Sequence, residues 1–150
     1  MIYIKRDDSN NTEFRKLILQ LDLDLNGRYG KDQEVYDSHN VIEFLETVVI
    51  AYFNNESAAC GCFKKYDDST IEIKRMFVKP QFRGKGISKL VLKELENWSS
   101  KLGYSKSVLE TGKKQLEAIG LYTKSGYKII DNYGPYVNMP NSVCMQKNLS

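Results

Sequence analysis

A basic loop with two glycines, between a predicted strand and a predicted helix, has the residue types that bind an anionic group. The loop is Arg83-Gly84-Lys85-Gly86, which follows Pro80 and precedes an apolar helical pattern that begins at Ile87. The first N–H groups of a helix lack intrahelical acceptors and lie at the positive end of its dipole. Glycine lets a phosphate approach the backbone, and the two cations add positive charge. We therefore predict a pyrophosphate-binding loop, with a solvated turn as the alternative.

The spacing of this loop differs from the two common nucleotide-binding loops. A P-loop requires G-x-x-x-x-G-K-[ST], and the dinucleotide fingerprint requires G-x-G-x-x-G. The run Gly84-Lys85-Gly86-Ile87-Ser88-Lys89 lacks the third glycine. Neither a P-loop nor a dinucleotide-binding unit is therefore predicted.

Two sequence motifs resemble those of a known enzyme family. The run Gln81-Phe82-Arg83-Gly84-Lys85-Gly86 resembles the [RQ]-x-x-G-x-[GA] signature of the GNAT superfamily of acetyl-CoA-dependent N-acyltransferases. Residues 115–127 are similar to the second family motif, N-x-x-A-x-x-L-Y-x-x-x-G-[FY]. Gln115 replaces the more usual asparagine and keeps the side-chain amide with a longer reach. The motifs occur in the family's order, which is hard to obtain by chance.

The resemblance implies that acetyl-CoA is the cosubstrate and that no metal takes part. In the family the first motif holds the coenzyme A pyrophosphate, and the strand before it splays open. Backbone N–H groups near Phe77 and Val78 would then polarise the thioester carbonyl. The cofactor-binding residues implied by the resemblance are Met76, Phe77, Val78, Gln81, Arg83, Gly84, Lys85, Gly86, Ile87, Ser88 and Gln115.

Acyl transfer to an amine requires a base, because a primary amine with a pKa near ~10 is protonated at neutral pH. Glu72 is a carboxylate in an otherwise apolar predicted strand. Similar enzymes of the GNAT superfamily place a catalytic glutamate at the corresponding position. Alternation along the strand leaves another reading open, in which Glu72, Lys74 and Met76 share one face and Glu72 pairs with a lysine. A water chain and Glu110 are the competing candidates for the base.

The leaving thiolate of coenzyme A requires a proton, and the resemblance assigns its donor to Tyr122. A phenol is a weak acid, but a thiolate is basic enough to accept its proton. The family motif and the chemical requirement therefore indicate the same residue.

The acceptor is the least determined part of the prediction. In the family fold, the segment after the first helix and a segment near the last strands flank the acceptor pocket. Asp22 and Asp24 suit a cationic amine. The predicted substrate-binding residues are Asp24, Arg28, Tyr29 and Tyr136, with Tyr133 as a further candidate. A protein amine, a polyamine, an amino acid and an aminoglycoside stay equally open.

The order of predicted elements is similar to the GNAT fold over essentially the whole chain. We expect an α+β protein with one domain, residues 1–150, and a central, mostly antiparallel, twisted sheet of six to seven strands flanked by about four helices. Turn compositions at Asn54-Asn55 and at Asp67-Asp68-Ser69 favour an antiparallel meander. The predicted strands are Met1–Lys5, Thr47–Phe53, Ala58–Tyr66, Thr70–Val78, Lys106–Glu110, Tyr127–Asn132 and Val143–Leu149.

Helical patterns occur at four places. The first helix has Asn10 and Thr12 as candidate caps and ends at Asn26-Gly27. A short second helix includes Val41 to Leu45. Gly126 is placed to end the helix of the second motif in a left-handed conformation. The helix after Gly86 is predicted to bury one stripe, formed by Ile87, Leu90, Val91, Leu95, Trp98 and Leu102.

Composition agrees with the enzyme that the resemblance implies and does not call for a nucleic-acid or membrane partner. The chain has 22 basic and 19 acidic residues and a net charge of +3. This charge is mild, so no nucleic-acid partner is expected. No apolar run is long enough for a membrane span and no leader is evident, so a cytoplasmic location is expected. The three cysteines and the single histidine, His39, favour buried thiols and a loop residue over a metal site.

Two other function classes stay open at this stage, as does a homodimer. A non-catalytic acyl-CoA-binding sensor would retain the basic loop without turnover. A nucleic-acid-binding module using the same loop would bind oligonucleotides with a steep salt dependence. The small-molecule or peptide amine acceptor of a transferase distinguishes the enzyme from both.

Overall fold

The computed structural model describes residues 1–29 and 44–149, without the side chains of residues 26–29. Seven strands form one sheet in the order β1-β2-β3-β4-β5-β7-β6, and every neighbouring pair is antiparallel except β4–β5. The elements are β1 (Ile2–Asp7), α1 (Thr12–Tyr29), β2 (Val48–Phe53), β3 (Glu56–Lys65), β4 (Thr70–Val78), α2 (Ile87–Lys101), β5 (Lys106–Gly112), α3 (Leu116–Lys124), β6 (Lys128–Ile130) and β7 (Ser142–Asn148).

The predicted α+β fold is confirmed, and no strand bound differs from its predicted position by more than two residues; the bounds of β4 are as predicted. The described residues contain three α-helices. The predicted short helix at Val41–Leu45 lies largely outside the described residues, as does His39, and Leu45 is not helical. Short 3₁₀ turns at Pro80–Phe82 and Gly134–Tyr136 complete the described elements.

Both faces of the sheet are covered, which explains why β2 is apolar along its whole length. Val48 and Ile50 belong to a cluster with α1, whereas Val49 and Ala51 belong to a cluster with α2. Successive side chains of a strand point to opposite faces, so a strand buried on both faces reads as a continuous apolar run. The helices α1 and α2 therefore pack on opposite faces of β2–β4.

The start and the end of α1 both differ from the prediction. The side chain of Asn11 caps the helix by accepting a hydrogen bond from the Phe14 backbone at 2.9 Å, so neither Asn10 nor Thr12 is the cap. This is the N-cap geometry, with the side-chain oxygen bonding the third helical N–H. The helix also continues through Asn26-Gly27 to Tyr29, since one glycine costs a helix only about 1 kcal/mol.

The hairpin between β2 and β3 confirms the predicted meander. Asn54 and Asn55 both have positive φ, at 51° and 71°. Two consecutive left-handed residues give the two-residue hairpin turn whose twist matches the flanking strands. The strands β2, β3 and β4 are consecutive antiparallel neighbours.

The buried stripe of α2 is only partly as predicted. Ile87, Val91 and Leu95 are buried as expected. Leu90 is 43% exposed and Leu102, which lies after the helix end, is 56% exposed. The side that faces the sheet is instead extended by Leu92, Glu96 and Ser99.

A bulge in β4 determines which side chains face which side of the sheet. Arg75 and Met76 lie opposite the single residue Gly61, and Arg75 has φ 59°. An added Cβ at Gly61 would clash with Met76 Sδ and lie 2.9 Å from Leu95 Cδ1. Met76 therefore packs on the α2 side. The alternative in which Glu72, Lys74 and Met76 share one face is met only in part: the bulge shifts the alternation by one residue, so Met76 reaches the α2 side, although it also lines a cavity with Glu72 and Lys74.

The sheet splays open next to this bulge. The parallel pairing of β4 with β5 ends at Ile73 and Leu109, whereas β5 stays paired with β7 as far as Gly112. Residues 74–78 continue along β3 alone. The splay expected from the family resemblance is thus present, and a cleft opens between β4 and β5.

The three cysteines are buried and free, as predicted. Cys60 and Cys62 pack in the cluster under α1, and Cys144 packs beside Tyr136. Within the described ranges, no group of three or more histidine, cysteine, aspartate or glutamate side chains could hold a metal. None of the helices described is long and apolar enough to cross a membrane.

Candidate active site

A groove leads from the opened edge of β4 to the start of α2. Its cavity of about 220 Å³ lies between the basic loop and α3. Nine of the eleven predicted cofactor residues line it. They are Met76, Phe77, Val78, Arg83, Gly84, Gly86, Ile87, Ser88 and Gln115.

The basic loop has the backbone shape that its glycines predict. Gly84 and Gly86 have φ of 80° and 75°, and no atom lies within 4 Å of a Cβ built on either. The cost of a side chain there is therefore one of backbone conformation. Ile87 and Ser88 follow at the N-terminus of α2, so the unpaired N–H groups of the helix open into the groove.

The cations of the loop are placed differently from one another. Arg83 lines the groove and donates a hydrogen bond of 3.0 Å from Nε to the Val78 carbonyl. Lys85 lies outside the groove lining, with Nζ 5.3 Å from the centre of the Phe53 ring. Gln81 is exposed and also does not line the groove. Arg83 is thus the loop cation nearest to the predicted pyrophosphate site.

Gln115 uses its amide oxygen within the protein. Its Oε1 accepts hydrogen bonds from Thr111 Oγ1 at 2.9 Å and from the Gly112 backbone at 3.0 Å. These bonds close the turn between β5 and α3. The amide oxygen is therefore committed to the fold, and the NH₂ end is the part suited to a cofactor.

A second, smaller cavity of about 110 Å³ lies on the α1 side of the cleft. Its walls come from α1, β4, β5, α3 and the turn before β7. Its ionisable side chains are Asp22, Glu72, Lys74, Arg75, Glu110, Tyr122 and Tyr136.

The predicted acceptor residues divide between different places. Tyr136 is buried and lines the smaller cavity. Asp24 lines the groove instead. Asp24, Arg28 and Tyr29 belong to α1 rather than to the expected loop. The side chains of Arg28 and Tyr29 lie outside the described part of the structure.

Tyr122 stands where the two cavities meet. It is buried to 5% exposure and lines both of them. Its ring packs against Tyr127 with the centroids 5.8 Å apart, and Gly126, at φ 100°, ends the helix as predicted. Its hydroxyl makes no hydrogen bond with the residues that the structure describes. Burial, with the nearby Glu110 carboxyl, raises its pKa, so the hydroxyl stays protonated at neutral pH.

Glu72 is buried and already has partners. Tyr133 donates a hydrogen bond of 2.7 Å to Glu72 Oε2. Lys74 Nζ lies 4.0 Å from Glu72 Oε1, which makes an ion pair too long for a hydrogen bond. The lysine pairing that the sequence left open is therefore present, and the Tyr133 hydroxyl occupies the other carboxylate oxygen of Glu72.

Glu110 lines the same cavity as Glu72, at the point where β5 leaves β4. Ser142 Oγ donates to Glu110 Oε2 at 2.8 Å. Burial raises the pKa of the Glu110 carboxyl to about 7, against the opposing effects of the Ser142 hydrogen bond and the Lys74 charge. A carboxyl that titrates near neutral pH is suited to accepting a proton at neutral pH.

Arg75 is a site residue that the sequence pattern did not reveal. Its Nη1 donates to Asp22 Oδ1 at 2.8 Å, and its side chain is 10% exposed. Regular alternation would place Arg75 and Lys74 on opposite faces. The bulge brings both into the smaller cavity, and the only sequence signal for it is Gly61 on the neighbouring strand.

Residues 14–127 match the sequence model of the acetyltransferase (GNAT) family. An acyl-CoA N-acyltransferase of Klebsiella pneumoniae has a similar structure, with a TM-score of 0.84, 27% identity, and coverage of 100% of this chain and 99% of that one. The chain therefore belongs to the GNAT acetyltransferase family. A GNAT family acetyltransferase of Elizabethkingia anophelis with acetyl-CoA bound shares the fold, with a TM-score of 0.70, 21% identity and coverage of 98% and 97%.

Two curated relatives are similar in sequence. An uncharacterised N-acetyltransferase of Schizosaccharomyces pombe is 41% identical over 107 residues, covering 69% of this chain and 64% of the relative. An IAA acetyltransferase of Azospirillum brasilense is 41% identical over 78 residues, covering 52% and 51%. The matched regions thus span between half and two thirds of these relatives.

Proposed function

We propose that the protein transfers an acetyl group from acetyl-CoA to a primary amine. The observation that carries this proposal is the position of Tyr122 at the junction of the groove and the smaller cavity. Acetyl-CoA occupies the groove with its pyrophosphate at the start of α2. The amine then lies in the smaller cavity, so its nitrogen meets the thioester beside the Tyr122 hydroxyl.

The proposed reaction is a direct attack without a covalent enzyme intermediate. A carboxylate of the smaller cavity removes the proton that keeps the amine from reacting. The amine nitrogen forms a bond to the thioester carbon, and the carbon–sulfur bond breaks. The thiolate takes its proton from Tyr122, which regains one from the nitrogen that has become an amide. Backbone N–H groups of residues 76–78, at the opened edge of β4, stabilise the carbonyl oxygen.

Two carboxylates compete for the role of base. Glu72 is the residue expected from the family resemblance, with a water chain as its alternative. Glu110 has the pKa that the role requires, about 7, and lines the same cavity as Glu72. Since Glu72 is hydrogen-bonded by Tyr133 and paired with Lys74, we assign the base to Glu110. In this assignment Glu72 orients Lys74 and Tyr133.

The high pKa of Tyr122 makes its proton transfer unfavourable toward a thiolate in water. The leaving sulfur, however, develops its charge in the same buried place. Desolvation there raises the basicity of the thiolate as it raises that of the phenolate. The transfer is therefore between two groups whose pKa values are raised by the same environment.

The proposal is tested by binding and turnover measured separately. Calorimetry with acetyl-CoA, NAD, ATP and a single-stranded oligonucleotide should detect binding of acetyl-CoA alone. Thiol release with a panel of amines should then exceed the rate without amine. Binding without release for any amine would favour the sensor, and salt-dependent oligonucleotide binding would favour the nucleic-acid module.

A further inference from the structure

One cation of the smaller cavity, Lys74, has an ion pair but lacks a hydrogen-bond acceptor among the described residues. The side chain of Lys74 is 12% exposed, and its Nζ lies 4.0 Å from the nearest carboxylate oxygen. It makes no hydrogen bond with the residues that the structure describes, although an ammonium carries three donors. Burial lowers the pKa of Lys74, which the Glu72 charge opposes. An ammonium in this position is stabilised by an anion that enters the cavity.

A second cation, Arg75, lies beside Lys74, and only one of its donors is bonded within the described part of the chain. The Arg75 guanidinium has five N–H donors, and one of them bonds Asp22. The bulge that aims consecutive residues into the same cavity is therefore what creates a paired cationic site.

The acids of the cavity are, by contrast, each partnered. Asp22 is bonded by Arg75, Glu72 by Tyr133 and Glu110 by Ser142. A polyamine would bring a second positive charge next to Lys74 and Arg75, and the like charges would repel. An acceptor with a carboxylate would instead supply acceptor oxygens to the unpaired donors.

We propose that the acceptor of this transferase is an amino acid, whose carboxylate binds Lys74 and Arg75 while its amine faces Glu110 and the thioester. This inference rests on the proposed function and names the substrate class of the same site. A cavity of about 110 Å³ suits the amine and carboxylate head of such a molecule, since 150 Å³ accommodates a benzene ring. The side chain of the amino acid extends toward the cavity mouth.

The test compares each of several L-amino acids with its amide and with the amine left by removal of the carboxylate. Phenylalanine, leucine, methionine and glutamine form the panel, and thiol release from acetyl-CoA gives kcat/KM. The free acid should exceed its amide by at least ~10-fold for the preferred side chain, as expected for a charged hydrogen-bonded pair. The amide has the less basic amine and so more free amine at neutral pH, which means that amine basicity works against this preference.

Lys74→Met keeps the length of the side chain and removes its charge. It should abolish the preference for the acid over the amide, chiefly through KM, and Lys74→Arg should restore part of it. The matched control is Lys106→Met, an exposed lysine at the start of β5, which should keep the preference unchanged. Acetyl-CoA affinity, measured on every variant by calorimetry, reports whether the fold and the groove are intact.

The two proposals fail in different ways. The amino-acid acceptor is overturned if amides or simple amines react as fast as the acids or faster. It is also overturned if Lys74→Met keeps the preference for the acid over the amide. Both results leave the proposed transferase activity intact. A protein that binds no acetyl-CoA overturns the transferase itself. If turnover is absent although acetyl-CoA binds, the complex with coenzyme A is titrated calorimetrically with each acid and its amide. Equal affinities for the acid and the amide overturn the amino-acid acceptor.

Discussion

Tyr122 and Glu110 divide the proton transfers between them in the proposed reaction. Both are buried, and burial raises the pKa of each. For a carboxylate the shift produces a base that is half-protonated near neutral pH, whereas for a phenol it preserves the proton that the thiolate needs. The same desolvation thus suits two groups to opposite roles.

Replacing Tyr122 with phenylalanine separates packing from proton donation. Tyr122→Phe keeps the ring contact with Tyr127 and removes the hydroxyl, so acetyl-CoA affinity should stay within about twofold while kcat falls by roughly ten- to a thousandfold. Calorimetry and single-turnover kinetics measure the two quantities. Wild-type turnover in the variant, with chemistry rate-limiting, would assign Tyr122 to packing and the thiolate proton to water.

The base is identified by its pH profile. The wild-type kcat/KM should bend near pH 7, where the Glu110 carboxylate becomes protonated as the pH falls. Glu110→Gln should lower kcat/KM at pH 7 by roughly 10²-fold and lose this bend. Glu72→Gln is the matched variant and should retain the bend, because it leaves Glu110 in place. Loss of the bend in Glu72→Gln alone would return the role to Glu72.

At the scale of the elements, the strand β4 with its bulge and the loop that begins α2 shape the groove and the smaller cavity. The bulge aims Lys74 and Arg75 into the smaller cavity, and the end of the β4–β5 pairing exposes the backbone of residues 76–78. The loop contributes the helix N-terminus and Arg83 to the groove. The proposed cofactor and acceptor sites are therefore joined by the strand β4.

The loop cation should contribute to cofactor affinity. Arg83→Gln removes the charge nearest to the groove and should weaken acetyl-CoA binding by roughly 10-fold, more at low than at high ionic strength. Lys93→Gln removes an exposed charge farther along α2 and serves as the control. Calorimetry at two salt concentrations measures both, and equal affinities for the two variants would contradict the phosphate-loop assignment.

The bulge should depend on the absence of a side chain at Gly61. Gly61→Ala places a methyl group against Met76 and Leu95, and such overpacking typically costs about 1–3 kcal/mol in free energy of unfolding. Gly120→Ala, in α3, meets no atom within 4 Å and should be neutral or stabilising by up to ~1 kcal/mol. Urea unfolding of the two variants compares them directly. Similar stabilities would show that the bulge relaxes around a methyl group.

At the scale of the whole molecule, the smaller cavity reduces stability because it places charged groups inside the fold. The same fold otherwise buries apolar side chains in two clusters, one on each face of the sheet. The buried Glu110 carboxyl binds protons more tightly in the folded protein than in the unfolded chain. In the proposed mechanism, loss of the Glu110 proton lowers the stability of the fold and raises activity.

The protein should lose stability through Glu110 as the pH rises toward 7. The Glu110 pKa is raised from 4.5 to about 7, so between these pH values the folded state holds more protons and its contribution to stability falls as pH rises. Glu110→Gln should therefore gain stability relative to the wild type as pH rises from 4.5 to 7, by up to about 3 kcal/mol. Urea unfolding at pH 4.5, 6 and 8 measures this difference. A constant difference would mean that Glu110 titrates normally in the fold.

Local sequence patterns determined the backbone features of the groove and the order of the elements. The glycine loop, the turn at Asn54-Asn55 and the order of strands and helices all follow from backbone preferences that act over a few residues. Nine of the eleven predicted cofactor residues line one groove for the same reason, since most belong to one continuous strand–loop–helix segment. The cap of α1 is Asn11, one position from each predicted cap, which is the usual uncertainty of helix boundaries. Leu90 lies at the edge of the buried stripe of α2 and is exposed.

The residues that line the smaller cavity are brought together only by the tertiary structure. The β4 bulge depends on Gly61 of another strand, so nothing local to Arg75 signals that it lies beside Lys74. The raised pKa of Glu110 likewise arises from burial among α1, β4 and the turn before β7. Desolvation and charge pairing act between residues that are distant in sequence, and only the packed fold brings them together.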